Sequence, residues 1–262
     1  MKILFLGDIV GKPGRRALQK VLPGLRRRFG VDVVIANVEN LAHGKGVTRS
    51  TLQEIVVAGV DIGTGGDHLF VKPEASELLA EPSTILVRPL NIPATMPGQG
   101  QKTFTFGQKR VHVINLLGQY AMHFEPVDSL FRVMKEGLPR LPQDVDAIVV
   151  DVHAEATSEK VAMGWFLDGQ VSLVVGTHTH IPTADARILP GGTGYMTDVG
   201  MVGLRDSSLG VDKDMAIARF LTDERSPFDI PEHGLVAING LVATVTERRT
   251  TKIERIYHEI EV

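Results

Sequence analysis

Eight residues combine side chains suited to metal or acid–base chemistry with a common position, the point at which an apolar run stops. Asp8 follows "KILFLG", Glu39 and Asn40 follow "VVIANV", and Asp67 and His68 follow "VDIGTGG". His153 follows "AIVVDV", and His178 and His180 follow "SLVVGT". Singly, each has an ordinary explanation: an Asp after a strand forms turns or caps helices, and a lone His is usually a satisfied core or surface group. Gathered together, three carboxylates and three histidines would repel and desolvate one another badly unless a cation neutralised them. Side chains at i and i+2 of an extended segment point the same way, so His178 and His180 are expected to reach a shared centre. Glu39 is the natural bridge, because one carboxylate has two oxygens and can hold two metals about 3.5–4 Å apart. With no cysteine in the chain, any metal must be held by nitrogen and oxygen. That suits Fe, Mn or Zn with positions left for water.

Strand tips are useful only if strands and crossovers place them at one edge. The chain alternates β-branched runs with helical patterns: "KILFL", then a helix over 14–30 expected in two pieces around Pro23, then "VDVVIANV". A glycine-rich loop leads to the helix "TRSTLQEIVVAG", capped by Thr48 or Ser50, then to "VDIGTGG" as a third strand and "KPEASELLAE" as a short helix. "TILVRPLNIP" and "KTFTFGQKRVHVINLLGQ" read as mixed sheet with a hairpin turning at "GQKR". The helix "VDSLFRVMKEGLPRL", strand "DAIVVDV", helix "SEKVAMGWFLDG" and strand "VSLVVGTHTH" continue the alternation, and 235–262 reads as a β meander. Buried strands in both halves predict an α/β fold: a four-layer α/β/β/α sandwich of two mixed sheets flanked by helices. One domain over 1–262 is expected, with a small cap or irregular insertion near 203–234.

At 262 residues the chain is long enough for a substantial core, and its net charge of -3 gives no support for a nucleic-acid partner. The one dense basic cluster, "LRRRF" at 25–29, reads as the solvated face of a helix. "MKILFLGDIVGK" reads as a first strand, not a secretion signal: Asp8 interrupts it and no small-residue cleavage site follows. No run approaches the length of a membrane span, so a cytoplasmic location is the default. "GDIVGKPGRR" fails as a phosphate loop, one residue short between its glycines and with Pro13 where a hydroxyl should be. Histidines 43, 112, 123, 233 and 258 read as core or surface groups, with His43 kept open because its glycine-rich loop follows Glu39.

Taken in order, "GD" at 7–8, "EN" at 39–40, "GGDH" at 65–68, "VH" at 152–153 and "GTHTH" at 176–180 resemble the calcineurin-like metallophosphoesterases across essentially the whole chain. The resemblance is nearer to the YmdB-like branch, whose members are 2′,3′-cyclic-nucleotide phosphodiesterases. In that branch Val10 stands where the superfamily has His, and Glu39 where it has the bridging Asp. Asp67 departs from the branch too, which usually has Asn before the catalytic His. It gives the site three negative charges against four from two divalent ions, and so a less positive centre.

The resemblance implies that Asp8, Glu39, Asn40 and His180 hold one metal ion and that Glu39, Asp67, His153 and His178 hold the other. His68 is then the general acid and not a ligand. Hydroxide supplied by the metal pair would attack phosphorus in line while His68 protonates the departing sugar oxygen, opening a cyclic nucleotide to a monophosphate. A general phosphatase with the same metal core, or a regulatory RNA-associated protein with a structural metal, are the alternatives; retention of His68 argues against the second. The residues leave the native metal, the preferred base, the 2′,3′ or 3′,5′ ring and homo-oligomerisation open.

Overall fold

The computed structural model describes residues 1–222 and 229–262. β1 (Lys2–Leu6) runs into the two-residue β2 (Asp8–Ile9), and α1 (Gly11–Phe29) leads to β3 (Val33–Asn37), α2 (Arg49–Ala58), β4 (Ile62–Thr64), α3 (Glu74–Ala80) and β5 (Leu86–Val87). The hairpin of β6 (Gln101–Phe106) and β7 (Lys109–Leu117) is followed by α4 (Leu130–Gly137), β8 (Ala147–His153), α5 (Thr157–Phe166) and β9 (Leu173–Thr177). Short strands β10 (Arg187–Ile188), β11 (Gly194–Met196) and β12 (Met201–Leu204) precede α6 (Lys213–Thr222). The long hairpin of β13 (Leu235–Thr246) and β14 (Arg249–Glu261) comes last.

These strands form two mixed sheets. The first has the order β2-β12-β13-β1-β3-β4-β5, with β14 paired to β13; the second has the order β10-β11-β9-β8-β7-β6. Alternation along each strand explains why they stack. Ile3 and Phe5 of β1 face Val113, Val149 and Val175 of the second sheet in an inter-sheet core, while Leu4 and Leu6 point outward to Leu18 and Leu22 of α1 and Ile55 of α2. On the far side, Ile148, Val150 and Val152 of β8 pack against Met134 of α4 and Met163 of α5. Strands apolar on both faces therefore build the expected four-layer α/β/β/α sandwich.

Two local expectations change. α1 is one continuous helix through Pro23, not two pieces, and it starts at Gly11, so Pro13 falls in its first turn. Its buried face, Ala17, Leu18, Leu22 and Leu25, continues unbroken across the proline, and packing on the sheet outweighs the lost backbone hydrogen bond. The C-terminal alternation forms a two-stranded hairpin and not a separate meander, with β13 inserted beside β1 and β12. Thr48 caps α2, accepting from the Thr51 N–H. The insertion expected near 203–234 includes residues 223–228, which lie outside the described residues; its described part holds the end of β12 and α6. No helix among the described residues is long and apolar enough to cross a membrane.

Candidate metal centre

All eight residues picked from the strand tips meet at one edge of the sandwich. Asp8 opens β2, one residue after β1, at a place only glycine permits: a Cβ on Gly7 would lie 1.8 Å from the Gly200 carbonyl oxygen. Glu39 and Asn40 follow β3, Asp67 and His68 follow β4, His153 ends β8, and His178 and His180 follow β9. The first sheet thus brings the carboxylates with Asn40 and His68, and the second brings the other three imidazoles.

One donor atom from each of Glu39, Asp67, His153 and His178 lies within 4.8 Å of all the others, a group able to hold a metal ion. His153 Nε2 is 3.2 Å from both Glu39 Oε1 and Asp67 Oδ1 and 3.0 Å from His178 Nδ1. Beside this group, His180 Nε2 lies 3.7 Å from Asp8 Oδ1 and 3.3 Å from Asn40 Nδ2. His68 sits at the rim with Nδ1 2.9 Å from Asn40 Oδ1, while its backbone N–H donates to Glu39 Oε2 at 2.9 Å.

Two observations test whether a metal fits. Asp8 is wholly buried, yet its Oδ1 finds no hydrogen-bond partner among the described residues, a costly state for a carboxylate that no cation meets. A Cβ on Gly66 would lie 2.3 Å from Glu39 Oε2 and 2.4 Å from His153 Nε2, so the glycine keeps the space between the ligand atoms clear. The donor set, nitrogen and oxygen only, suits transition-metal ions.

The electrostatics show the strain of packing these groups together. Burial pushes the Asp8 carboxyl above its usual range, partly offset by His180 and His153. Burial also opposes ionisation of Glu39, but His153's charge and hydrogen bonds from His153 and His68 win and hold it at about 2. Asp67 is lowered in the same way: burial is overcome by hydrogen bonds from His153 and His178. Burial would lower His153 and His68, yet Glu39 above all raises both. Glu39 and Asp67 are thus held low by the imidazoles that face them, while Asp8, with less such compensation, is raised.

The two histidines after β9 arrive by a different route from the one expected. β9 stops at Thr177, and His178 and His180 take φ of 98° and 65°, left-handed values unusual for side-chain-bearing residues. They converge through a tight turn and not through extended i, i+2 geometry. A buried ion pair holds that turn: Lys160 Nζ lies 2.8 Å from Asp198 Oδ2, which also accepts from Thr179 N–H at 3.2 Å and Thr179 Oγ1 at 2.8 Å. Lys160 reaches the Thr177 carbonyl as well.

Lys160 and Asp198 were missed, as were Asp151, Thr177 and Glu155, whose Oε2 lies 3.3 Å from His178 Nε2. A signal existed for Asp151, a charged residue inside "AIVVDV" two positions before His153 and so on the same strand face. His43 is exposed in the loop after Asn40. His112 is buried on β7 with Thr103 Oγ1 2.8 Å from its Nδ1.

Comparisons with known proteins show the family and the fold. The family model described as "YmdB-like protein" matches residues 4–256. A 2′,3′-cyclic-nucleotide 2′-phosphodiesterase of Bacillus subtilis is 41% identical over 98% of this chain and 96% of its own length. A solved phosphatase of Mycoplasma pneumoniae superposes with a TM-score of 0.92 at 35% identity, covering 100% of this chain and 94% of that one. The Haemophilus influenzae NAD nucleotidase matches at a TM-score of 0.59 and 13% identity, over 100% of this chain and 56% of that one, a likeness of fold alone. Ordered motifs, shared architecture and full-length similarity lead to one assignment: the chain belongs to the YmdB-like protein family.

Proposed function

We propose that the protein hydrolyses 2′,3′-cyclic nucleotides to nucleoside monophosphates at a dinuclear centre. Asp8, Glu39, Asn40 and His180 would hold one ion, Glu39, Asp67, His153 and His178 would hold the other, and His68 would act as the general acid. The observation that carries this reading is the set of facing donor atoms of Glu39, Asp67, His153 and His178, buried or half-buried, with an Asp8 oxygen beside it that lacks a hydrogen bond among the described residues. Support for the substrate comes from the name of the Bacillus subtilis relative. The proposed ions are Fe or Mn, with Zn as the other choice, all three compatible with nitrogen and oxygen donors. When bound, such a pair supplies a Lewis acid for the phosphoryl oxygens and water of lowered pKa.

The chain's own residues do the rest. Glu39 keeps both oxygens in the centre because the His68 N–H and the Asn37 Oδ1 contact at its own N–H, 3.1 Å, fix its backbone and carboxylate. His68, with its side chain 28% exposed, donates Nδ1–H to Asn40 and so leaves Nε2 to hand a proton to the departing sugar oxygen. The hydrolysis adds water across one P–O bond and yields a monoester. A single domain spanning 1–262 carries the site, and the stretch around Leu209 borders its rim, where the Leu209 carbonyl lies 2.9 Å from His180 Nδ1.

Metal analysis of the purified protein, coupled to a panel of 2′,3′- and 3′,5′-cyclic nucleotides and phosphomonoesters, tests the proposal. Two ions per chain and preference for 2′,3′-cyclic substrates are expected. Equal or better turnover of phosphomonoesters would make the protein a general phosphatase instead.

A further inference from the structure

The inter-sheet core does not stay apolar up to the metal centre. Its last tier is polar: Asn37 of β3, Thr64 of β4, Asn115 of β7, Asp151 of β8 and Thr177 of β9, each with no exposed surface. Asp151 is the costly member, since burying a carboxylate between two sheets weakens the core relative to an apolar side chain of similar size. Its partners say what it is for. Asp151 Oδ2 accepts from Thr64 Oγ1 at 2.5 Å, and Oδ1 accepts from Thr177 Oγ1 at 2.8 Å.

Thr177 Oγ1 also lies 2.9 Å from His153 Nδ1. A hydroxyl has one proton. Having given it to Asp151, Thr177 can only accept from the ring, so Nδ1 carries a hydrogen, and the ring, once it loses the Nε2 hydrogen it shares with Glu39 and Asp67, presents the Nε2 lone pair to that group. Asn37 Nδ2 is 3.1 Å from the same Nδ1, but its two hydrogens have acceptors of their own, the Gly65 carbonyl at 3.0 Å and Thr177 Oγ1 at 3.5 Å.

From this geometry we infer that Asp151 and Thr177 are positioning residues that act through His153: Asp151 directs the Thr177 hydroxyl, and Thr177 selects the His153 tautomer that can bind metal. The inference rests on the two-metal reading above. Thr177 does no chemistry on the substrate; it removes the alternative in which a protonated Nε2 faces the ion.

The test is a titration of chelator-stripped protein with Mn2+ alone, followed by Mn2+ electron spin resonance, on wild type and on Thr177→Val, Thr177→Ser and Asp151→Asn. Thr177→Val should weaken Mn2+ binding about 10- to 100-fold, the usual loss when a ligating histidine's partner is removed, whereas Thr177→Ser should stay within about threefold of wild type. Asp151→Asn should fall between them. Should Thr177→Val not fold, the Asp151→Asn and Thr177→Ser arms carry the comparison, with circular dichroism confirming that each is folded. Unchanged Mn2+ affinity in a folded Thr177→Val or Asp151→Asn protein overturns the relay alone, as does a Thr177→Ser loss as large as that of Thr177→Val. Failure of the wild type to bind Mn2+ at all overturns the metal reading beneath it.

Discussion

The first sheet offers carboxylate oxygens to the centre, from Asp8, Glu39 and Asp67, with the Asn40 amide between His68 and His180, whereas the second offers nitrogens, from His153, His178 and His180. The halves are held differently. On the first sheet, backbone placement does most of the work: Gly7 lets β1 pass against Gly200, and main-chain N–H groups orient Glu39 and Asp8. On the second, every imidazole has one nitrogen in the centre and an acceptor at the other: Thr177 for His153, Glu155 for His178 and the Leu209 carbonyl for His180. The difference follows from ligand chemistry. A carboxylate presents lone pairs on both oxygens however it turns, but a neutral imidazole has one, and its proton must be placed elsewhere. Oxygen ligands need direction; nitrogen ligands also need a tautomer.

Four substitutions separate these halves. Glu39→Ala should have the largest effect, emptying both metal positions and reducing diesterase activity to background; a variant that retained two ions would show that Glu39 does not bridge. His68→Asn should lower kcat by about 10²–10⁴, the usual contribution of a general acid, with metal content intact. Equal metal loss in these two variants would collapse the distinction between ligand and acid. Lys160→Met strikes the second sheet's support without touching a ligand. Leaving Asp198 buried without its cation should cost about 3–5 kcal/mol in urea unfolding and loosen metal held through His178 and His180; wild-type stability would mean the ion pair does not hold the turn. Asp67→Asn should have the smallest effect, raising turnover up to about tenfold or shifting metal preference as the centre becomes more positive. A rate and metal dependence identical to wild type would refute that charge argument.

Much of this was legible in the sequence, because both sheets are built from strands whose apolar runs are long and whose ends are polar. All eight strand-tip residues converge, and "AIVVDV" and "SLVVGT" contain most of β8 and all of β9. What stayed hidden depends on contacts between distant segments. Nothing local tells that His178 and His180 adopt left-handed backbone, since the ion pair that stabilises it joins α5 to the turn before β12. Pro23 argued for a break that the buried face of α1 overrides. Thr177 looked like the last residue of a strand; sheet register sets it opposite His153 of β8, with Asp151 two residues back along β8 within reach of its hydroxyl.

The missing side chain at Gly66 has a practical consequence. A methyl group there would project between Glu39 Oε2 and His153 Nε2, both fixed by their surroundings. Gly66→Ala would therefore plug the centre while retaining every ligand, every charge and the acid. Such a protein makes a sterically silenced control, one that separates what the cell loses when catalysis stops from what it loses when the polypeptide itself is absent.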